Sequence, residues 1–108
     1  MRVSNLRSPR SGATVANQYE IEHNGWDYFQ SYQTLIAKKK GYNYVISMDY
    51  NYSRTTSKYF YEWLKDWGWT SEQYQDFRKW ASKQIGSKSG QTLVLDNCTV
   101  KLVQELKK

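Results

Sequence analysis

Three residue types are nearly missing from this chain, two of them carriers of chemistry: one cysteine (Cys98), one histidine (His23) and one proline (Pro9) stand among 108 residues. A lone cysteine forms no intramolecular disulfide and builds no zinc site by itself, so a reducing cytoplasm is the expected setting. Cys98 follows Asp96-Asn97 with no basic neighbour in sequence to activate it, the pattern of a structural thiol rather than a nucleophile. Histidine catalysis would rest on His23 alone, in a turn beside Asn24-Gly25 and far from any nucleophile.

Glycine is equally sparse where a nucleotide would need it. Gly41, Gly68, Gly86 and Gly90 are isolated stops, and the stretch from Gly86 to Gly90 lacks both the strand before and the Gly-Lys-Ser/Thr after that a phosphate loop requires. The acids available to a metal, Glu20, Glu22, Asp27 and Asp49, follow no ligand spacing. No window approaches the roughly 18 apolar residues of a membrane span, and Met1 to Leu6 lack the apolar centre of a signal peptide. These absences predict a soluble, cytoplasmic binding protein with no enzyme activity, cofactor, metal or membrane partner.

What the chain has is rings and positive charge. Ten Tyr, five Trp and three Phe bring the aromatic share to 17%, against a hydrophobic total of 39%, so rings must supply much of the core. Tyr and Trp also serve half-exposed, at interfaces or as platforms for bases. The net charge of +6 favours an acidic partner such as nucleic acid. It is spread evenly, with seven bases and four acids in residues 1–54 and nine and six in residues 55–108.

Residues 1–14 hold three arginines, no acid and no apolar periodicity, and read as a basic, turn-rich arm. From Val15 the period becomes two: Val15, Asn17, Tyr19 and Ile21 share one face, with Ala16, Gln18, Glu20 and Glu22 on the other, toward solvent. Asn24-Gly25 marks a tight hairpin. A return strand then runs from Trp26 to about Ala37, its second half open to a helical turn, and Tyr42, Tyr44, Ile46 and Met48 line a third strand after the Lys38-Lys39-Lys40-Gly41 turn. Residues 15–48 are thus expected to form an antiparallel meander.

Two helices are expected over residues 54–86. Tyr59, Trp63 and Trp67 recur at helical spacing behind a cap at Ser53, Thr55 or Thr56, and Gly68 ends the first helix. Thr70-Ser71-Glu72-Gln73 forms a capping box before Tyr74, Phe77, Ala81 and Ile85, with a stop at Gly86 and a linker to Gly90. Residues 91–108 fit either strands or a helix. The fold class that follows is α+β, one domain over 1–108: an antiparallel sheet of three to five strands with two amphipathic helices on one face.

Candidate binding residues come from basic positions beside rings and helix ends. Arg7 and Arg10 flank Ser8-Pro9, Lys38, Lys39 and Lys40 stand at a hairpin end, and Arg54 and Lys58 sit at a helix N-terminus, where unpaired N–H groups favour anions. Tyr28 and Tyr32, with Tyr42 and Tyr44, are positioned for a stacking face on adjacent strands, or for a cross-strand aromatic cluster.

The strings Asn5-Leu6-Arg7-Ser8-Pro9-Arg10-Ser11-Gly12, Val15-Ala16-Asn17-Gln18, Tyr28-Phe29-Gln30-Ser31-Tyr32 with Ile36-Ala37, and Tyr50-Asn51-Tyr52-Ser53-Arg54-Thr55-Thr56-Ser57-Lys58-Tyr59 resemble a family of small proteins of phages and related mobile elements. The resemblance covers roughly residues 4–60, and the family carries no assigned activity. It implies a mobile-element accessory protein that acts in the host cytoplasm. By analogy, the expected role is a counter-defence inhibitor of a host nuclease, of the anti-CRISPR type, docking on the nuclease complex or its guide RNA. The alternative is a single-stranded nucleic-acid-binding protein of phage replication.

Overall fold

The structure, a computed structural model, describes residues 1–84 and 91–106. Its strands are β1 (Arg2–Arg7), β2 (Thr14–His23), β3 (Trp26–Ser31), β4 (Thr34–Lys40), β5 (Asn43–Ser47), β6 (Gln91–Leu95) and β7 (Cys98–Val103). Helices α1 (Arg54–Asp66) and α2 (Ser71–Ser82) lie between β5 and β6 in sequence, after a 3-10 turn over Met48–Asn51. All seven strands join one sheet in the order β1-β2-β3-β4-β5-β7-β6. Every neighbouring pair is antiparallel except β5 and β7, which run parallel.

This corrects the expected sheet of three to five antiparallel strands: the sheet has seven strands and is mixed, though the α+β class and two helices remain. Three local causes account for the difference. Six of the first seven residues of the expected basic arm form β1, which pairs with β2 through backbone groups and needs no apolar period to do so. The expected strand from Trp26 to Ala37 is cut in two by a turn at Tyr32-Gln33, between the paired Ser31 and Thr34. Residues 91–106 add two strands, and β7 enters the sheet beside β5, where Tyr44 meets Val100 and Ile46 meets Leu102. The expected stop at Gly86 and the linker to Gly90 lie outside the described residues.

Asn24-Gly25 makes the hairpin between β2 and β3, with φ of +53° and +81°, the twist that a two-residue turn needs. Asn17 also has a positive φ, +66°. It resets the alternation of β2, so that Val15 packs toward the core and Gln18, not Tyr19, follows it there. Gln18 was expected toward solvent; it is fully buried opposite Ser31.

The two helices cover one face of the sheet, and the core between them is aromatic. Phe29 of β3 stacks on Phe60 and Trp63 of α1, with centroids 6.0 and 6.1 Å apart, and Phe77 of α2 meets Tyr50 edge-on at 5.0 Å. Tyr44 lies between Trp63 and Trp69. Offset and edge-on contacts of this kind add about 0.5–1.5 kcal/mol per pair beyond the area they bury. The sheet is also tied to the start of α1: Ser53 Oγ accepts from Thr56 N at 3.1 Å as the helix cap, and the buried Thr56 and Ser31 hydroxyls share a hydrogen bond at 2.7 Å.

Candidate functional site

Because the helices occupy one face, the other face of the sheet is left open. Cross-strand register places the side chains there. One row runs Val3, Ile21, Tyr28, Lys38, Val45, Lys101 and Thr92. A second row holds His23, Trp26, Lys40, Asn43, Thr99 and Val94, and a third Asn5, Tyr19, Gln30 and Leu35. None of these residues is Asp or Glu. The acids of the same strands, Glu20, Glu22 and Asp27, alternate onto the helix-covered side. The period of two has sorted charge: lysines Lys38, Lys40 and Lys101 face outward from the open face, and carboxylates do not.

Rings lie among those lysines. Lys38 Nζ stands 4.5 Å from the centre of the Trp26 ring and Lys40 Nζ 6.0 Å from it, within range of a cation–π contact. Tyr28 and Ile21 are buried yet belong to no part of the main core. Tyr19 and Trp26 are half-buried and Tyr32 is exposed. At the Tyr32 end is a groove of about 480 Å3 lined by Val3, Asn17, Tyr19, Ile21, Gln30, Tyr32 and Gln33.

The eight residues expected to bind do not form one set. Tyr28 and Lys38 are cross-strand partners on the open face, and Tyr32 stands at its rim. Lys39 points the other way, buried under the helices with Nζ 3.9 Å from the Trp67 ring. Arg7 donates to the Gly12 carbonyl at 2.9 Å and so closes the loop after β1, while Arg10 is exposed on that loop. Arg54 and Lys58 are exposed on α1, whose cap hydroxyl Ser53 is already engaged with Thr56. The expected four-tyrosine stacking face is not built: Tyr44 is in the core and Tyr42 stands alone in a turn, 77% exposed. Lys40, named with Lys38 and Lys39 at the hairpin end, joins the open face, whereas Lys101, Trp26, Tyr19 and Gln30 are the residues sequence reasoning passed over. Strict alternation along β3 puts Asp27 and Ser31 on the side of the core ring Phe29 and Trp26, Tyr28 and Gln30 on the opposite side, once the turn at Tyr32 is known.

On the helix side, a second cleft of about 280 Å3 gathers Glu20, Glu22, Asp27 and Asp66 around Arg2, Trp63 and Trp67. Arg2 reaches Glu22 at 3.7 Å. Burial and the neighbouring Glu62 push the Asp66 carboxyl above its usual range, against the pull of Lys65. Burial likewise pushes the Cys98 thiol up, away from the thiolate form. Among the described residues no three His, Cys, Asp or Glu side chains are grouped to hold a metal ion, and no helix is long and apolar enough to cross a membrane.

The segments that carry the resemblance meet at one end of the sheet. The Asn17 carbonyl accepts from Tyr32 N at 2.6 Å, Gln18 lies opposite Ser31, and Ser31 bonds Thr56. No curated protein and no solved structure matches this chain. A family model described as "Family of unknown function (DUF8033)" matches residues 1–80, the stretch that holds β1 to β5, α1 and most of α2. The chain therefore belongs to that family.

Proposed function

We propose that this protein binds single-stranded nucleic acid across the open face of its sheet. The observation that carries the reading is the sorting of charge: Lys38, Lys40 and Lys101 stand in cross-strand rows that, among the described residues, hold no carboxylate, and the half-buried rings of Trp26 and Tyr19 share their face. Strands lie about 4.8 Å apart, so Lys38 and Lys101, two strands apart, span roughly 10 Å. Lysines at that spacing suit a flexible phosphate backbone, and rings beside them suit its bases. A duplex would bury its bases and forgo the rings, so it is the weaker ligand.

The counter-defence role expected by analogy is a narrower form of this reading. A guide RNA held by a host nuclease would offer the same ligand chemistry, and the encounter would take place in the host cytoplasm. Fluorescence polarisation with labelled single-stranded DNA, single-stranded RNA and duplex at two salt concentrations tests the general reading. Single strands are expected to bind with affinity that falls steeply with salt. Each of Lys38→Gln, Lys40→Gln and Lys101→Gln should flatten the logarithmic salt slope by about 0.7. Absence of binding at low salt would overturn it.

A further inference from the structure

Beside the lysines, the groove at the Tyr32 end has a different chemistry. Its seven lining residues include no charged side chain: three are amides (Asn17, Gln30, Gln33), two are phenols (Tyr19, Tyr32) and two are aliphatic (Val3, Ile21). At about 480 Å3 it is within the size of a small-ligand site. A neutral groove with flat walls and paired donor and acceptor edges does not suit a phosphate. It suits a planar, uncharged ring with hydrogen-bonding edges.

The groove is also held in shape at a conformational cost. Tyr32, the first residue of a two-residue turn, has φ of +56°, where glycine is customary and a ring-bearing residue pays about 1–2 kcal/mol. Asn17 across from it is at +66°. The two are locked by the Tyr32 N–H donating to the Asn17 carbonyl at 2.6 Å, and Gln30 Nε2 donates to the Tyr32 carbonyl at 2.8 Å. That bond fixes the Gln30 amide beside Tyr32 in the wall of the groove and engages one of its two N–H donors. A glycine at position 32 would make the same turn at less cost, so the turn does not account for the ring.

We infer that this groove is a nucleobase subsite, in which Tyr32 and Tyr19 stack on one unpaired base and the Gln30 and Asn17 amides read its edge. The inference rests on the proposed binding of single strands and adds where one base is held. Amide side chains pair with base edges through adjacent donor and acceptor, and splayed bases stack on aromatic rings. The chain of contacts is continuous: Ile21 of the groove is the cross-strand neighbour of Tyr28, and Tyr28 of Lys38. A base in the groove thus leaves its backbone running toward Lys38 and Lys101.

The test compares oligothymidylate of about 12 nucleotides, within the span one small fold covers, with an abasic strand of the same length and charge. The full-length protein is expected to prefer the base-bearing strand by about tenfold. Gln30→Ala and Tyr32→Gly should each lower that ratio several-fold while the salt slope, set by the lysines, stays. Tyr32→Gly suits the +56° backbone, and thermal melting checks that it remains folded. Equal, salt-sensitive binding of both strands by the unaltered protein would overturn the subsite and leave the lysine face standing. An unchanged ratio in both variants would do the same. Failure of both strands to bind at low salt would overturn the two readings together.

Discussion

The hydrogen bond between Ser31 and Thr56 is the point at which the sheet is fastened to α1, and it makes a sharp quantitative prediction. Both side chains are fully buried, their oxygens are 2.7 Å apart, and Ser53 Oγ donates to Thr56 Oγ1 at 3.0 Å, so three hydroxyls form a short chain. Thr56→Val keeps the shape of the side chain and removes its oxygen. Ser31 Oγ is then left buried without its partner, and Ser53 retains only its bond from the Thr56 N–H. Stranding a buried hydroxyl costs about 1–3 kcal/mol, and we expect about 2 kcal/mol here. Ser31→Ala is expected to cost about 1 kcal/mol, because Thr56 Oγ1 still accepts from Ser53. In the double variant no hydroxyl is stranded at the junction, so its cost should stay near that of Thr56→Val alone. The coupling energy is then about 1 kcal/mol or more, well above the roughly 0.3–0.5 kcal/mol scatter of independent sites. Urea unfolding followed by tryptophan fluorescence measures all four corners of the cycle. Strict additivity would mean that the two hydroxyls do not act as a unit, and the fastening argument would fail.

Two further predictions concern stability. Thr70 Oγ1 accepts from Gln73 N at 3.1 Å and Gln73 Oε1 accepts from Thr70 N at 3.0 Å, so Thr70→Ala should cost about 1 kcal/mol and lower the melting temperature by several degrees, while Thr70→Ser changes little; equal melting of Thr70→Ala and the parent would refute the cap. In alkali, burial pushes the Tyr44 phenol up to about 12 and raises those of Tyr50 and Tyr74 as well. A folded pKa above the unfolded one means stability that is fully present below about pH 10 and is lost as pH rises through about 12, up to about 3 kcal/mol for Tyr44 alone. Urea midpoints that stay level across that range would contradict it.

Much of this molecule is legible in single residues, and the illegible part has physical causes. Asn24-Gly25, the rings at Tyr59 and Trp63, the stop at Gly68 and the box at Thr70 and Gln73 are local signals, and each structure forms where its signal lies. The turn at Tyr32 hides because a tyrosine takes a conformation that sequence reasoning assigns to glycine. The face of Gln18 hides for a related reason, since one left-handed residue at Asn17 inverts the alternation that follows. β1 hides because an edge strand needs backbone pairing more than apolar periodicity, and the parallel meeting of β5 with β7 has no local signature. The candidate site suffers most, because a face is a property of register. Lys38 and Lys39 are neighbours in sequence, yet one belongs to the open face and the other lies beneath Trp67.

The parallel seam between β5 and β7 also sets an order of events as the chain folds. Strands β1 to β5 are joined by short hairpins and can pair as they come together, whereas Asn43 must wait for Thr99, with both helices in between. Closing so large a loop is entropically costly and slow, and the reward comes only when Val100 and Leu102 complete the core beside Tyr44 and Ile46. Until then β5 presents an unpaired edge of Asn43–Ser47, the kind of edge that recruits another chain's strand. During that interval the chain is most exposed to aggregation, and a chaperone that shields this edge would raise its folding yield more than one that shields the helices.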